Sequence, residues 1–265
     1  MLSTEIRPNG RGVDERLSIR VDEFFLLWYA HHKLGDLPSF LGVNPVGRSR
    51  TERAECTAAA SATLSERDLG TIENPAADLR KMMEFMAETP VRIEFGRTGP
   101  EAAEWAVAAV RDARAVVATR TDTDVRLWTG KAPGFVRELI EDLAPKEPGT
   151  GASANASAVD FQRASKAAAA RGPSAFRDAL DNAGVHQRDI PTLARAVEDS
   201  SGGGMLAAVR RDDTDTWRHA PLRLSWRDTA IGRYAIREDD AWVTVTPADT
   251  ARLISMADDV LEQVG

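Results

Sequence analysis

The chain has 265 residues, 43% of them hydrophobic and 28% charged, with a formal net charge of −7. Such a composition can bury a full core and excludes a disordered chain, while the acidic balance argues against a nucleic-acid binder, which concentrates lysine and arginine on one surface. The single cysteine, Cys56, excludes an internal disulfide and suits a reducing compartment.

Met1 to Arg16 is polar, carries Pro8, Gly10 and Gly12, and lacks the apolar stretch of a signal peptide, so residues 1–16 read as a flexible terminus. Leu17 to Val21 alternates as a strand. Asp22 follows as a helix N-cap, with Glu23 in the first turn, where the helix dipole favours it. The helix Glu23 to Lys33 carries Phe24, Phe25, Leu26, Leu27, Trp28 and Tyr29; it is apolar nearly all round and should be deeply buried. Gly35 ends it, and 36–48 reads as an extended loop. Ser49 and Glu52 have the spacing of a capping box, opening a helix to about Arg67. Asn74 and Pro75 open the next, whose apolar stripe is Leu79, Met82, Met83 and Met86.

Four strands are expected at about 90–96, 103–110, 114–120 and 124–129. Short turns between them predict hairpins and an antiparallel sheet. The second is alanine-rich, which favours helix, but its counterpart Leu222 to Trp226 alternates clearly and it is read as a strand. Pro133 and an amphipathic stretch ending near Ala144 follow. Pro145 to Ser157 is small, polar and flexible in composition. Helices are then expected at about 159–171, 174–183 and 189–198. Ser200 to Gly204 reads as a glycine-rich break, and a four-strand meander follows to Thr246. Thr246 to Asp249 caps a last helix with the stripe Leu253, Ile254, Ala257, Val260 and Leu261.

The order strand, acidic turn, strand, proline, helix thus occurs twice. It runs once through Thr121 to Asp124 and once through Glu238 to Asp240. The expected organisation is a flexible terminus (1–16), an N-terminal half (17–144), a linker (145–157) and a C-terminal half (158–265), the halves forming one pseudo-symmetric body with a broad sheet.

Chemistry-bearing motifs are scarce. The glycine run 202–204 lacks the lysine and helix of a phosphate loop. The four histidines have no metal-ligand spacing, and neither CxxC nor HExxH occurs. No GxSxG elbow is present. The carboxylates of Asp212 to Asp215 fall in an expected turn, where aspartate favours the geometry. The chain reads as non-enzymatic, with no catalytic residue, no metal and no cofactor. No run approaches the roughly 18–20 apolar residues that span a bilayer, so no membrane insertion is expected and a soluble, cytoplasmic protein is.

What remains is tryptophan and arginine on the strands. Leu222, Leu224 and Trp226 share one face, and Arg223, Ser225 and Arg227 the other. Val125 and Leu127 oppose Arg126 and Trp128, while Arg233, Ala235 and Arg237 alternate with Tyr234 and Ile236. One sheet face should be apolar against helices and the other should present arginine with some tryptophan. These side chains anchor interfaces. Arg126, Trp128, Arg223, Trp226, Arg233 and Trp242 are therefore the candidate partner-binding residues.

Several segments, in order, resemble the EspG proteins of actinobacterial type VII (ESX) secretion. They are Val21-Asp22-Glu23-Phe24-Phe25-Leu26-Leu27-Trp28 with Leu34-Gly35-Asp36-Leu37-Pro38, and Val46-Gly47-Arg48-Ser49-Arg50-Thr51-Glu52-Arg53. Leu64-Ser65-Glu66-Arg67-Asp68-Leu69-Gly70, Val91-Arg92-Ile93-Glu94-Phe95-Gly96, Ala115-Val116-Val117-Ala118 and Val125-Arg126-Leu127 continue the series. The resemblance implies an α/β (α+β) fold with a central antiparallel sheet, flanking helical bundles and an internal pseudo-two-fold repeat. It implies a cytosolic chaperone that binds a helical PE/PPE-like heterodimer, masks its apolar tip and keeps it soluble for export. The contact would run through the sheet and the C-terminal helical region. The alanine-rich second half leaves the client open between PE/PPE-like pairs and other small helical secretion substrates. The alternative reading is a small-molecule-binding or sensing module that uses the curved sheet.

Overall fold

Ten strands join edge to edge in one antiparallel sheet in the computed structural model, which describes residues 16–99, 103–198 and 200–263. The first half runs β1 (Leu17–Arg20), α1 (Val21–His31), α2 (Arg50–Ser65), α3 (Ala77–Glu88), β2 (Val91–Thr98), β3 (Ala103–Arg111), β4 (Arg114–Arg120), β5 (Asp124–Lys131) and α4 (Ala132–Glu141). The second runs β6 (Ala154–Ser157), α5 (Ala158–Arg171), α6 (Ser174–Asn182), α7 (Ile190–Arg195), β7 (Ser200–Arg211), β8 (Trp217–Thr229), β9 (Gly232–Glu238), β10 (Trp242–Pro247) and α8 (Thr250–Leu261). Each half is thus a strand, three helices, a four-strand meander and a helix. The spatial order is β1-β5-β4-β3-β2-β7-β8-β9-β10-β6, so the halves meet only at the β2–β7 ladder within the sheet. The expected mixed α/β fold with a central antiparallel sheet is the one observed.

Register fixes the faces. Arg126, Thr119, Ala106, Phe95, Leu206, Leu224 and Arg237 are successive cross-strand partners and share the first face. There α4 and α8 cover a core that includes Phe95, Val117, Leu206, Leu224 and Trp226. The second face is covered in two places. Helices α1–α3 pack on Val107, Val116, Val125 and Leu127. Helices α5–α7 pack on Tyr234, Ile236, Val243 and Val245. Strands buried on both sides become continuously apolar, which explains Ala115 to Ala118. It also explains why alanine-rich β3 is a strand: burial on both faces overrides helix propensity, and small side chains let helices approach.

Local chemistry moves two expected boundaries. Arg20, not Asp22, caps α1, because Glu23 reaches back to accept from the Arg20 amide at 2.7 Å. Glu23 is fully buried and also accepts from Thr63 Oγ1 and from Arg67 Nη2, each at 2.6 Å. The Ser49–Glu52 capping box forms as expected. Helix α3 starts at Ala77 rather than at Pro75. Asn74 and Pro75 lie in a tight loop, closed by Thr71 N to Asn74 O (3.1 Å) and Ala76 N to Leu69 O (2.8 Å).

Two stretches read as loose are structured. Gly202 to Gly204 lies inside β7. A Cβ on Gly204 would sit 2.2 Å from the Trp226 ring, and one on Gly203 2.3 Å from the Trp226 carbonyl oxygen. Bare backbone lets the indole lie against the strand. The expected flexible stretch 145–157 is bonded to the sheet by Gly149 N to Arg233 O (2.9 Å) and Arg233 N to Glu147 O (2.8 Å). Its last four residues are β6, paired with β10.

Candidate functional site

Between its two helical bodies the second face is only partly covered. The helices of that face make their main strand contacts with β3–β5 and with β10 and β6, leaving β2, β7 and β8 as an open strip. Its floor is set by two cross-strand rows, Glu94–Ala207–Arg223 and Gly96–Met205–Ser225. Met205, Arg223 and Ser225 are partly exposed. One wall is the segment Leu34 to Asn44, wound into short 3-10 turns at Leu34–Asp36 and Ser39–Leu41. Phe40 stands edge-on to Trp105 at 5.4 Å and covers Gly96. The body α5–α7 flanks the other side.

The strip ends at the β7–β8 hairpin in a charged cluster. Arg92 Nη2 donates to the carbonyls of Asp36 (2.6 Å) and Met86 (2.9 Å). Arg211 Nη2 donates to Asp36 Oδ1 and Ala87 O, both at 2.9 Å. Both guanidiniums lie over Trp217, 4.0 Å and 4.8 Å from the ring centroid. These contacts pin the wall and the end of α3 to the sheet. Burial, then repulsion from Arg211, pulls Arg92 down to about 10.

Glu94 is mostly buried on the floor, 4.0 Å from His219 Nδ1. Burial pushes its carboxyl up to about 7, against the pull of Arg92. An acid whose folded pKa is raised loses stability as pH climbs from its unfolded value through about 7. Glu94→Gln should therefore raise the melting temperature at pH 8, by a gain of at most about 3 kcal/mol, and lose that advantage by pH 5. Thermal melts of both proteins across this range check it; parallel curves would remove Glu94 as the titrating group.

The six expected contact residues do not form one patch. Arg126, Trp128, Trp226, Arg233 and Trp242 are on the first face by register, and Arg223 alone is on the second. Trp226 is 1% exposed and Arg233 0%, so both are core. Trp128 is buried beside α4, with the Arg16 guanidinium 4.7 Å above its ring. Arg126 and Trp242 are exposed, but seven strand spacings separate β5 from β10, roughly 33 Å. The expectation of one helix-covered face and one arginine face is corrected: helices cover parts of both. Face parity within each strand was legible, while the register linking strands of opposite halves was not. Glu94, Met205, Ser225 and Trp217 were missed. The only signal was the charge of Arg92 and Glu94 inside an otherwise apolar strand.

Among the described residues no cluster of His, Cys, Asp and Glu could hold a metal ion, and no helix is long and apolar enough to cross a membrane. No functionally curated protein matches the chain. Among solved structures, the Mycobacterium tuberculosis type VII secretion system chaperone EspG5, in complex with a PE25–PPE41 dimer, is similar in fold. The likeness covers 94% of this chain and 96% of that one, with a TM-score of 0.69 and 16% sequence identity. The EspG family model matches residues 20–259, which include β2 to β10, the strip and helices α1 to α8 apart from the last two residues of α8, and the chain belongs to the EspG family.

Proposed function

We propose that this protein is a cytoplasmic type VII secretion chaperone that captures a helical PE/PPE-like heterodimer, masks its apolar tip and releases it for export without catalysing a reaction. The observation that carries this is the partly open strip over β2, β7 and β8, where Met205, Arg223 and Ser225 are partly exposed. A helical hairpin tip exposes apolar side chains and unpaired carbonyls. Met205 and Phe40 offer apolar contact, and Ser225 and Arg223 offer donors. An escort that later lets go needs micromolar to nanomolar affinity, roughly −8 to −12 kcal/mol.

Co-expression with PE/PPE-like pairs encoded beside it should give a complex that survives size exclusion. Ser225→Trp and Met205→Glu, which fill or charge the strip, should weaken capture by about 30-fold or more, the scale of a lost interface anchor. Arg126→Glu and Trp242→Ala, on the other face, should leave it unchanged. The reverse pattern, in variants that circular dichroism shows to be folded, would move the client to the first face.

A further inference from the structure

The hairpin end of the strip holds donors that, among the described residues, have nothing to bond. Arg92 is 4% exposed and its Nε has no acceptor; Arg211 Nε and Trp217 Nε1 are likewise buried without one. Buried polar atoms in native proteins almost always find partners, so three orphans in one cluster call for a missing acceptor. Arg92 and Trp217 line an open cavity of about 690 Å³ together with Glu94, His219, Leu37 and Val43.

The cluster is also short of negative charge. Asp36 is buried there, and Arg211 takes it at 2.9 Å. Among the described residues Arg92 bonds the carbonyls of Asp36 and Met86 and no carboxylate. Asp215 reaches Arg211 Nη1 at 3.3 Å but is exposed and shared with Lys33. Glu94, held near neutrality by burial, supplies only part of a charge at pH 7.

We propose that this cluster is a carboxylate anchor, in which Arg92 Nε and Trp217 Nε1, the two orphan donors on residues that line the cavity, donate to an acidic group of the partner, with Arg211 adding positive charge beside them. Charge-assisted bonds to carboxylate are the strong ones, and a guanidinium matches its planar geometry. The anchor deepens the docking reading and rests on it for the identity of the carrier. Its carboxylate chemistry rests on the cluster alone.

Protein labelled with ¹⁵N at tryptophan and arginine is titrated with acetate at constant ionic strength, with acetamide as the neutral control. The Trp217 indole and Arg92 Nε–H resonances should shift saturably with acetate and not with acetamide. Arg92→Lys, read on Trp217, and Trp217→Phe, read on Arg92, should each weaken acetate about tenfold. No acetate-dependent shift, or equal shifts with acetamide, would overturn the anchor. N-acetylglycine and N-acetylaspartate amide separate a chain terminus from an acidic side chain as carrier; saturable binding of either supports the anchor. Acetate binding without client capture would leave the anchor standing and remove the docking reading, while capture without acetate binding would do the reverse.

Discussion

Arg233→Glu should destabilise the protein strongly. Arg233 is fully buried and donates through Nε to Asp228 Oδ1 at 2.6 Å and through Nη2 to Ala144 O at 3.1 Å. Its own backbone bonds Glu147 O, Gly149 N and Ala248 N. One residue thus ties β8, β9, the 144–149 segment and the entry to α8 together. A glutamate there faces Asp228 with like charge in a dry site and strands the Ala144 carbonyl. Breaking a buried pair costs about 3–5 kcal/mol, and the repulsion adds to it. The melting temperature should fall by about 10 °C or more. Arg223→Glu is the control: that side chain is partly exposed and pairs with Glu238 at 3.1 Å, so its loss should cost about 1 kcal/mol or less. Circular-dichroism melts compare them, and an Arg233→Glu protein that melts like wild type would contradict the burial of this residue.

Gly204→Val carries the second large effect, with a sign opposite to strand propensity. Valine favours strands, so propensity alone predicts a gain. The added Cβ would instead meet the Trp226 ring at 2.2 Å and Gly96 O at 2.4 Å. The ring cannot retreat, being 1% exposed and packed against Phe95 with 5.5 Å between centroids. The other obstacle is main chain. A loss of about 3 kcal/mol or more is expected by denaturant unfolding. Trp226→Ala in the same chain should recover part of that loss, because the two sites share one volume. Simple additivity of the two changes would show that the indole does not occupy the space above Gly204.

These cases mark what residues alone reveal. Hairpins were legible because their turns have local chemistry: Asp212 accepts from the amides of Thr214 and Thr216, and Asp239 from those of Ala241 and Trp242. The Ser49–Glu52 cap and the α8 stripe were legible for the same reason. Gly202 to Gly204 was not, since the cause of a bare strand is an indole 22 residues further along the chain at Trp226. Trp226 and Arg233 looked like anchors because their residue types occur at interfaces, and only packing shows that they face inward. The strip itself depends on which strands the helices leave uncovered. That follows from a ladder between β2 and β7, whose pairing no local pattern encodes.

The same ladder has a consequence on the ribosome. Every partner of β1, β3, β4 and β5 within the sheet lies in the first half, whereas β2 waits for a strand that begins at Ser200. At roughly 5–20 residues per second, about a hundred intervening residues keep the outer side of β2 unpaired for several seconds of synthesis. A naked strand invites pairing with other nascent chains. Arg92, Glu94 and Arg97 along that strand set charges beside the waiting main chain, guarding the nascent half against aggregation until the rest of the polypeptide emerges.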